Sequence, residues 1–339
     1  MSWITRFLAS ALPLSALSQQ FPPPSLFSIA DIPNLSDKVI MVTGGNTGIG
    51  YAICSALLKH DATVYLTSRS EERGKEAVAK LKGETGNEAI LLQLDTSDLS
   101  SVQSAASDFL KREDHLDVLF ENAGVCVFDL GSQTRGAVDL TFATNVLGHS
   151  YLDKLLLPAL ENTLKITGHK ARIVITSTVG LKGAPQPNGI DFSTLMVSDP
   201  TRAAREKLGG LGLYSQSKMV SHYISSCPLR VEYRATPLTF VTSLHPGGVQ
   251  SGAFKHAPPS IKWIVDLAVR VFFHPAEQGA LTPLYAGVSP ETADAGGRHF
   301  VPWAREATAA LDKRALNEET QELSANWMAE RIEDDRARL

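Results

Sequence analysis

The sequence predicts an α/β fold: a single Rossmann-type, doubly wound parallel sheet with helices on both faces. Apolar strand-like runs alternate with helix-like segments over most of the 339 residues. These runs are apolar throughout, as in strands that are buried on both faces of a parallel sheet. The first run ends in a glycine-rich turn that leads directly into a helical pattern, the arrangement of a dinucleotide-binding unit.

The strand-like runs, in chain order, are KVIMVTG, ATVYLTS, AILLQLD, LDVLFENAG, RIVITST and LTFVTSLHPGG. Helix-like segments YAICSALLKH, EERGKEAVAKLK and SVQSAASDFLKRE follow the first three. We expect the catalytic domain at residues 36–310, after an N-terminal extension (1–35) and before a C-terminal helical tail (311–339). Two stretches near 181–213 and 252–275 have no regular pattern.

Composition excludes several classes of function. The net charge of −4 and the pI of about 6.1 give no basic field for nucleic acid. Cys54, Cys126 and Cys227 lie far apart, with no CxxC pair and no Cys/His cluster at metal spacing. We therefore expect no metal, cysteines that act as buried small hydrophobes, and a reduced, cytoplasmic setting.

The N-terminal extension carries a short apolar stretch, Phe7 to Leu17, which Pro13 interrupts before the Pro-rich linker FPPPSLF. The stretch is too short to span a bilayer. It loosely resembles a signal peptide, although the disulfide-poor body argues against secretion. The alternative is a peripheral helix that packs on the domain or contacts a membrane surface.

The turn VTGGNTGIG is predicted to bind a dinucleotide. Its glycines let the backbone approach a pyrophosphate, and the helix that follows offers free N–H groups and a favourable dipole. Its position between a strand and a helix is the context that the motif requires. The predicted contacts are Gly44, Asn46, Thr47, Gly48, Ile49 and Gly50.

The end of the second strand indicates which dinucleotide binds. An acidic residue about 20 residues after the glycines would bind the ribose 2′-hydroxyl of NAD. Ser68 and Arg69 stand there instead, and an Arg can pair with a 2′-phosphate. The sequence therefore predicts a preference for NADP(H), and NAD(H) stays possible. The alternative is that Arg69 is only a solvated residue at the end of the strand. Asp95 either accepts from the adenine amino group or caps a helix that starts near Ser97.

YSQSK places Tyr214 and Lys218 four residues apart, on one face of a helix. A free tyrosine, with a pKa of about 10, is a poor acid–base group at neutral pH. A nearby ammonium favours the phenolate and lowers that pKa. The pair could then protonate a carbonyl oxygen or deprotonate an alcohol while hydride moves.

Together these motifs resemble the short-chain dehydrogenase/reductase family. TGGNTGIG, LD, NAG, NVLGH, the hydroxyl run TST, YSQSK and HPGGVQS occur in the family's order over roughly residues 36–305. GSQTRG and FVPWAR are most similar to fungal members of the retinol-dehydrogenase-like branch. The resemblance implies an oxidoreductase that binds NADP(H) and acts on a small-molecule alcohol, ketone or aldehyde, with specialised metabolism and a homo-oligomer left open.

The resemblance also implies residue roles. Tyr214 would be the acid/base, and Lys218 would lower its pKa and hold the nicotinamide ribose. Asn145 would hold a water on the proton path, or else it only caps a helix. The expected contacts elsewhere with the cofactor are Asn122, in the turn after the fourth strand, and Val249 and Ser251, at the nicotinamide end.

The hydroxyl run leaves one role undecided. The family's donor is the second hydroxyl of a Ser pair that ends the fifth strand. Alignment forward from Arg172 places it at Thr178, whereas alignment backward from Gly180 places it at Ser177. Both remain candidates, and Thr176 is interpreted as a strand residue. On an extended strand the two neighbours face opposite sides, so only one can point toward the tyrosine.

Three features depart from the family pattern. Glu121 stands where the family usually has Asn, and the carboxylate is either paired or weakens cofactor binding. Pro228 should kink or end the helix that carries Lys218. The stretch before Tyr214 is longer than usual. The alternative function, which rests on Glu121 and the TST run, is a cofactor-binding module that no longer catalyses and acts through a partner.

The substrate loops are expected at 181–213 and 252–275. Both contain apolar groups, which fits a lipophilic substrate. Equally, their aromatic residues could fill the core instead; those of the second loop are Phe254, Trp263, Phe272 and Phe273.

Overall fold

The computed structural model describes residues 19, 21–25, 27–226, 239–249 and 273–337. Their strands are β1 (Val39–Val42), β2 (Thr63–Ser68), β3 (Ile90–Gln93), β4 (Val118–Glu121), β5 (Ala171–Thr176), β6 (Thr239–Leu244), β7 (His299–Val301) and β8 (Arg305–Glu306). They form a sheet in the order β3-β2-β1-β4-β5-β6-β7-β8. All neighbours pair in parallel except β7 and β8.

The helices of the described residues are α1 (Gly48–Leu58), α2 (Glu71–Thr85), α3 (Leu99–Leu110), α4 (Gly148–Thr167), α5 (Arg202–Ser226), α6 (Ala276–Val288) and α7 (Glu318–Arg336). A short helix, Leu140–Phe142, and a π-helical turn, Ala143–Leu147, lead into α4. None of these helices is long and apolar enough to cross a membrane.

The sheet separates two hydrophobic cores, as expected for strands that are apolar on both faces. One core contains Leu119 and Ile173 of the sheet and residues of α3, α4, α5 and α7. The other contains Phe120 and Val174 with residues of α1, α2 and α6. The predicted doubly wound fold is confirmed.

Both predicted appendages contact the domain where they are described. Phe27 packs edge-on against Tyr285 of α6, with ring centroids 5.3 Å apart. At the other end, Met328 and Ile332 of α7 are buried in the core that α4 and α5 share. The domain boundaries at 35 and 310 stay predictions, and residues 1–18 lie outside the described residues.

The stretch 181–213 is more regular than the sequence indicated. Its second part belongs to α5, which begins at Arg202 directly after a 3₁₀ turn at Asp199–Thr201. The glycines of LGGLG hid the helical pattern, because Gly209 breaks the helix with φ 68° and ψ 168°. Arg205, which is 2% exposed, anchors the segment before the break by donating to Leu130 O and Asp139 Oδ2 at 2.7 and 2.8 Å.

Candidate active site

The glycine turn brings β1 and α1 close to the end of β4. Gly44 and Gly48 have φ of +65° and +57°, a left-handed conformation that favours glycine. A Cβ on Gly50 would stand 2.4 Å from Gly44 O and 2.6 Å from Asn122 Nδ2. The first N–H groups of α1 have no partner within the helix, so the close turn presents donors suited to a phosphate.

The other predicted residues of this turn differ in exposure. Thr47 is exposed at the N-cap of α1, and Asn46 is half-buried beside it. Ile49 is buried and meets Val249, since both side chains lie within 3.3 Å of where a Cβ on Gly279 would stand. The structure therefore brings Val249, just beyond β6, to the glycine turn. Ser251 lies outside the described residues.

Thr43 is a residue of this site that the sequence reasoning missed. Its Oγ1 accepts hydrogen bonds from Asn122 N at 2.9 Å and Ala123 N at 3.0 Å. In return, Asn122 Nδ2 donates to Thr43 O at 3.0 Å, and His149 Nε2 lies 3.0 Å from Thr43 Oγ1. The sequence signal that could have indicated this role is the Thr of VTGG, directly before the glycines. Its hydroxyl fixes the NAG turn to the end of β1.

Arg69 and Asp95 lie at the ends of neighbouring strands. Arg69 is exposed immediately after β2, so a cation stands where NAD-binding sites carry a carboxylate. Asp95 Oδ1 accepts from the N–H of Ser97 at 2.9 Å. The predicted helix cap was misplaced, because the N-cap of α3 is Asp98, which accepts from Ser100 N at 3.0 Å. The adenine contact of Asp95 stays a prediction.

Tyr214 and Lys218 lie one turn apart on α5, just beyond the break at Gly209. Tyr214 is half-buried, and its phenol shares a side-chain hydrogen bond with Thr178. Lys218 is 5% exposed, and its Nζ donates to Thr176 O at 2.7 Å. The helix thus holds both predicted groups against the end of β5.

The residues of the hydroxyl run make three different contacts. Thr176 ends β5 and accepts from Lys218 through its carbonyl. Ser177 is buried and donates from Oγ to Lys218 O at 3.0 Å, so its hydroxyl is used on the backbone of α5. Thr178 is half-buried on the side of Tyr214. Of the two hydroxyls left open, the structure brings Thr178 to the tyrosine.

Asn145 lies in the π-helical turn before α4 and is buried. Its Oδ1 accepts from Val125 N at 2.8 Å, and its Nδ2 donates to Val125 O at 3.0 Å and Ser217 Oγ at 3.0 Å. Ser217 Oγ in turn donates to Tyr214 O at 2.8 Å. The side chain of Asn145 therefore links the turn after β4 to α5 and does not cap a helix. Its water-binding role stays a prediction.

The pKa of Tyr214 moves opposite to the direction expected from Lys218. Burial raises this pKa, the nearby Cys126 thiol adds to the rise, and the hydrogen bond with Thr178 opposes it. Burial also lowers the pKa of Lys218 to about 8, against the attraction of Glu121, which raises it. The raised pKa favours the protonated phenol at neutral pH, and the pKa of the ammonium one helical turn away lies close to that range.

Some predicted residues are not part of the site that the structure describes. Pro228, Phe254, Trp263 and Phe272 lie outside the described residues, whereas Phe273 is half-buried. In the first loop, the apolar side chains of Ile190 and Leu195 belong to the core. No group of His, Cys, Asp and Glu within the described part of the chain could hold a metal ion.

Comparison with known proteins identifies the fold and its motifs. Residues 38–189 match the family model described as short chain dehydrogenase. Over 291 residues the chain is 43% identical to a short-chain dehydrogenase/reductase of Armillaria gallica, covering 86% of this chain and 89% of the relative. The chain belongs to the short-chain dehydrogenase/reductase family. It is therefore an oxidoreductase by family, as the resemblance implied.

Solved structures of the short-chain dehydrogenase/reductase fold agree with the architecture. A short-chain dehydrogenase from Shigella flexneri, solved with NADP, is similar with a TM-score of 0.56 and 20% identity, covering 79% of this chain and 97% of that one. An NADH-dependent reductase solved with NAD gives a TM-score of 0.54 and 21% identity, covering 78% and 95%. At these identities the likeness supports the fold.

Proposed function

We propose that this oxidoreductase interconverts an alcohol and a carbonyl on a small lipophilic molecule, with NADP(H) as cofactor and Tyr214 as acid/base. The observation that carries the proposal is the Tyr214–Thr178 hydrogen bond, formed one helical turn from a Lys218 that is bound to the end of β5. A half-buried phenol that binds a hydroxyl and lies one helical turn from an ammonium can exchange a proton with a carbonyl oxygen.

The raised pKa of Tyr214 keeps the phenol protonated at neutral pH, which is the form that reduction of a carbonyl needs. When bound, the nicotinamide would supply hydride for the carbonyl carbon. Tyr214 then gives its phenolic proton to the carbonyl oxygen, so one hydride and one proton convert the carbonyl to an alcohol. Thr178 holds the phenol in place and favours the phenolate left behind, and Lys218 adds a positive charge one helical turn away. The reverse sequence oxidises the alcohol.

The residues present fit a dinucleotide. The space that a Cβ on Gly50 would fill lets α1 approach the turn, and the helix N-terminus supplies N–H donors. Exposed Arg69 at the end of β2 supports NADP(H), since its guanidinium can pair with a 2′-phosphate. NAD(H) is the alternative, which the structural relatives keep open because one was solved with each cofactor.

Apolar groups near Tyr214 support a lipophilic substrate. Leu211, one turn before Tyr214, is 56% exposed, and Cys126 is close enough to influence the phenol. Gly210 lies against half-buried Phe128, whose Cα is 3.0 Å from where a Cβ on Gly210 would stand. Leu211 and Phe128, which are exposed and half-buried, would meet a substrate without offering it a charge, whereas Cys126 is fully buried.

The test follows NADPH and NADH oxidation with a panel of apolar ketones and aldehydes, in wild type and Tyr214→Phe. We expect turnover with NADPH and a loss of about 10²-fold or more in the variant. Tyr285→Phe, whose hydroxyl binds Glu291 at the surface, is the matched control and should keep full activity. Cofactor binding without Tyr214-dependent turnover would favour the non-catalytic binding module.

A further inference from the structure

Glu121 and Lys218 approach the same strand end from two directions. Glu121 is the last residue of β4 and pairs in register with Ile175 of β5. The next residue of β5, Thr176, accepts the hydrogen bond from Lys218 Nζ at 2.7 Å. Glu121 is 3% exposed and Lys218 5%, so their opposite charges interact away from solvent.

A buried ammonium needs a partner of opposite charge, because losing its hydration costs several kcal/mol. The carbonyl of Thr176 supplies a dipole but no charge. Asn145 is close, since a Cβ on Gly124 would stand 3.2 Å from Asn145 Oδ1 and 3.3 Å from Lys218 Nζ. That oxygen already accepts from Val125 N. Within the described part of the chain, Glu121 is the carboxylate whose charge acts on Lys218 and raises its pKa.

We propose that Glu121 is a positioning residue that keeps Lys218 charged and bound to Thr176 beside the acid/base. The inference rests on the proposed function only where it concerns turnover. It explains a departure from the family pattern, since a carboxylate stands where the family usually has Asn. Glu121 then supports the catalytic lysine and does not weaken the cofactor site.

Other titratable groups lie on two helices that contact β5 and in the turn after β4. α5 contributes Tyr214 and His222, α4 contributes buried His149 and Asp153, and Cys126 follows β4. Burial holds the pKa of His222 well below its usual value, so it carries no charge at neutral pH. Because Glu121 raises the pKa of Lys218 against burial, removing its charge should let the ammonium lose its proton at lower pH.

The experiment measures the titration of the Lys218 side-chain nitrogen by ¹⁵N NMR, assigned with Lys218→Arg. In Glu121→Gln the midpoint should fall by about one pH unit or more. Glu121→Asp keeps the charge, so its midpoint should fall less, and it serves if Glu121→Gln folds poorly. The alkaline limb of the kcat/KM profile should move in the same direction, because that profile reports the free enzyme.

Asp117→Asn is the matched control. Asp117 is a buried carboxylate just before the same strand, 2.9 Å from the Nζ of Lys38. Its loss should reduce stability and leave the Lys218 midpoint unchanged. An unchanged midpoint in Glu121→Gln, or an equal shift in Asp117→Asn, would overturn the inference. The NMR titration needs no substrate, so absence of Tyr214-dependent turnover contradicts the proposed function separately.

Discussion

The two ends of the site are held by different forces. At the glycine turn, backbone groups approach each other closely, and Thr43 fixes the turn after β4 through uncharged hydrogen bonds. At the Tyr214 end, a buried ammonium, a buried carboxylate and a raised phenol pKa dominate. The first end depends on shape and the second on electrostatics. Substitutions should therefore change cofactor affinity at one end and proton transfer at the other.

Among the substitutions that test this contrast, we expect Thr178→Val to have the largest effect. The change keeps the branched shape but removes the hydroxyl that contacts Tyr214. We expect kcat to fall by about 10²-fold, as when one donor is lost from a catalytic site, while NADPH affinity is retained. Steady-state kinetics with saturating NADPH measures it. Ser177→Ala is the control, with a loss below about tenfold, since that hydroxyl serves Lys218 O. A larger loss of kcat in Ser177→Ala than in Thr178→Val would assign the donor role to Ser177.

Gly50→Ala tests the end that depends on shape. The new methyl group would stand 2.4 Å from Gly44 O and must displace backbone. Overpacking of about 1–3 kcal/mol corresponds to NADPH binding weaker by about 5- to 150-fold. Fluorescence titration with NADPH measures it. Gly83→Ala in α2, where a Cβ meets nothing within 4 Å, should bind normally. A large fall in kcat at saturating NADPH with unchanged affinity would break the contrast.

Arg69→Ala separates charge from shape at the nucleotide end. We expect NADPH affinity to fall about tenfold, the value of one solvent-screened charge-assisted contact, and NADH affinity to stay constant. Parallel titrations with both cofactors measure it. Arg73→Ala, exposed on the first turn of α2, is the control. Equal losses for both cofactors would remove the argument for a 2′-phosphate contact.

The smallest predicted effect is a loss of stability as the pH falls. Burial lowers the pKa of His245 to about 3 and of His299 to about 4, and it holds the pKa of His222 well below its usual value. The unfolded chain binds these protons near pH 6.5, so the free energy of unfolding should fall as pH drops below that value. Between pH 7 and 6 we expect each histidine to account for about 1 kcal/mol or less.

Urea unfolding at pH 7, 6 and 5 measures this dependence. His299→Asn should reduce the slope, whereas His169→Asn, on the loop after α4, should leave it unchanged. The three histidines lie around β6, β7 and the Lys218 face of α5, and the rings of His222 and His299 are 4.6 Å apart. A free energy of unfolding that does not change with pH would contradict the proposed effect of the three buried histidines.

Residues close together in sequence were predictable, and those joined by the fold were not. Gly44, Gly48 and Gly50 belong to one turn between a strand and a helix, and Tyr214 and Lys218 to one helical face. Whether Ser177 or Thr178 meets the tyrosine depends on how β5 ends against α5, which two alignments of the sequence described equally well.

Long-range contacts explain the remaining differences. The hydroxyl of Thr43 matters because β4 lies beside β1. The pKa of Tyr214 rises because burial and Cys126 act on it, while Lys218 turns to Thr176. Neither effect has a local pattern. Asp98 caps α3 because the helix begins at Leu99 and not near Ser97. Asp95, three positions earlier, has an equally suitable side chain, so the local sequence did not distinguish the two.

The break at Gly209 has a consequence for how new specificities arise. Arg205 fastens the segment before the break to Leu130 and Asp139, while Tyr214 after the break is set by β5. The two halves of α5 are therefore held by different contacts, but both also bind Thr194: Arg205 donates to its carbonyl and Gln216 donates to its hydroxyl. A relative that changes the stretch before Gly209 to alter specificity must therefore keep the position of Thr194, because this residue also fixes the helix segment that carries Tyr214.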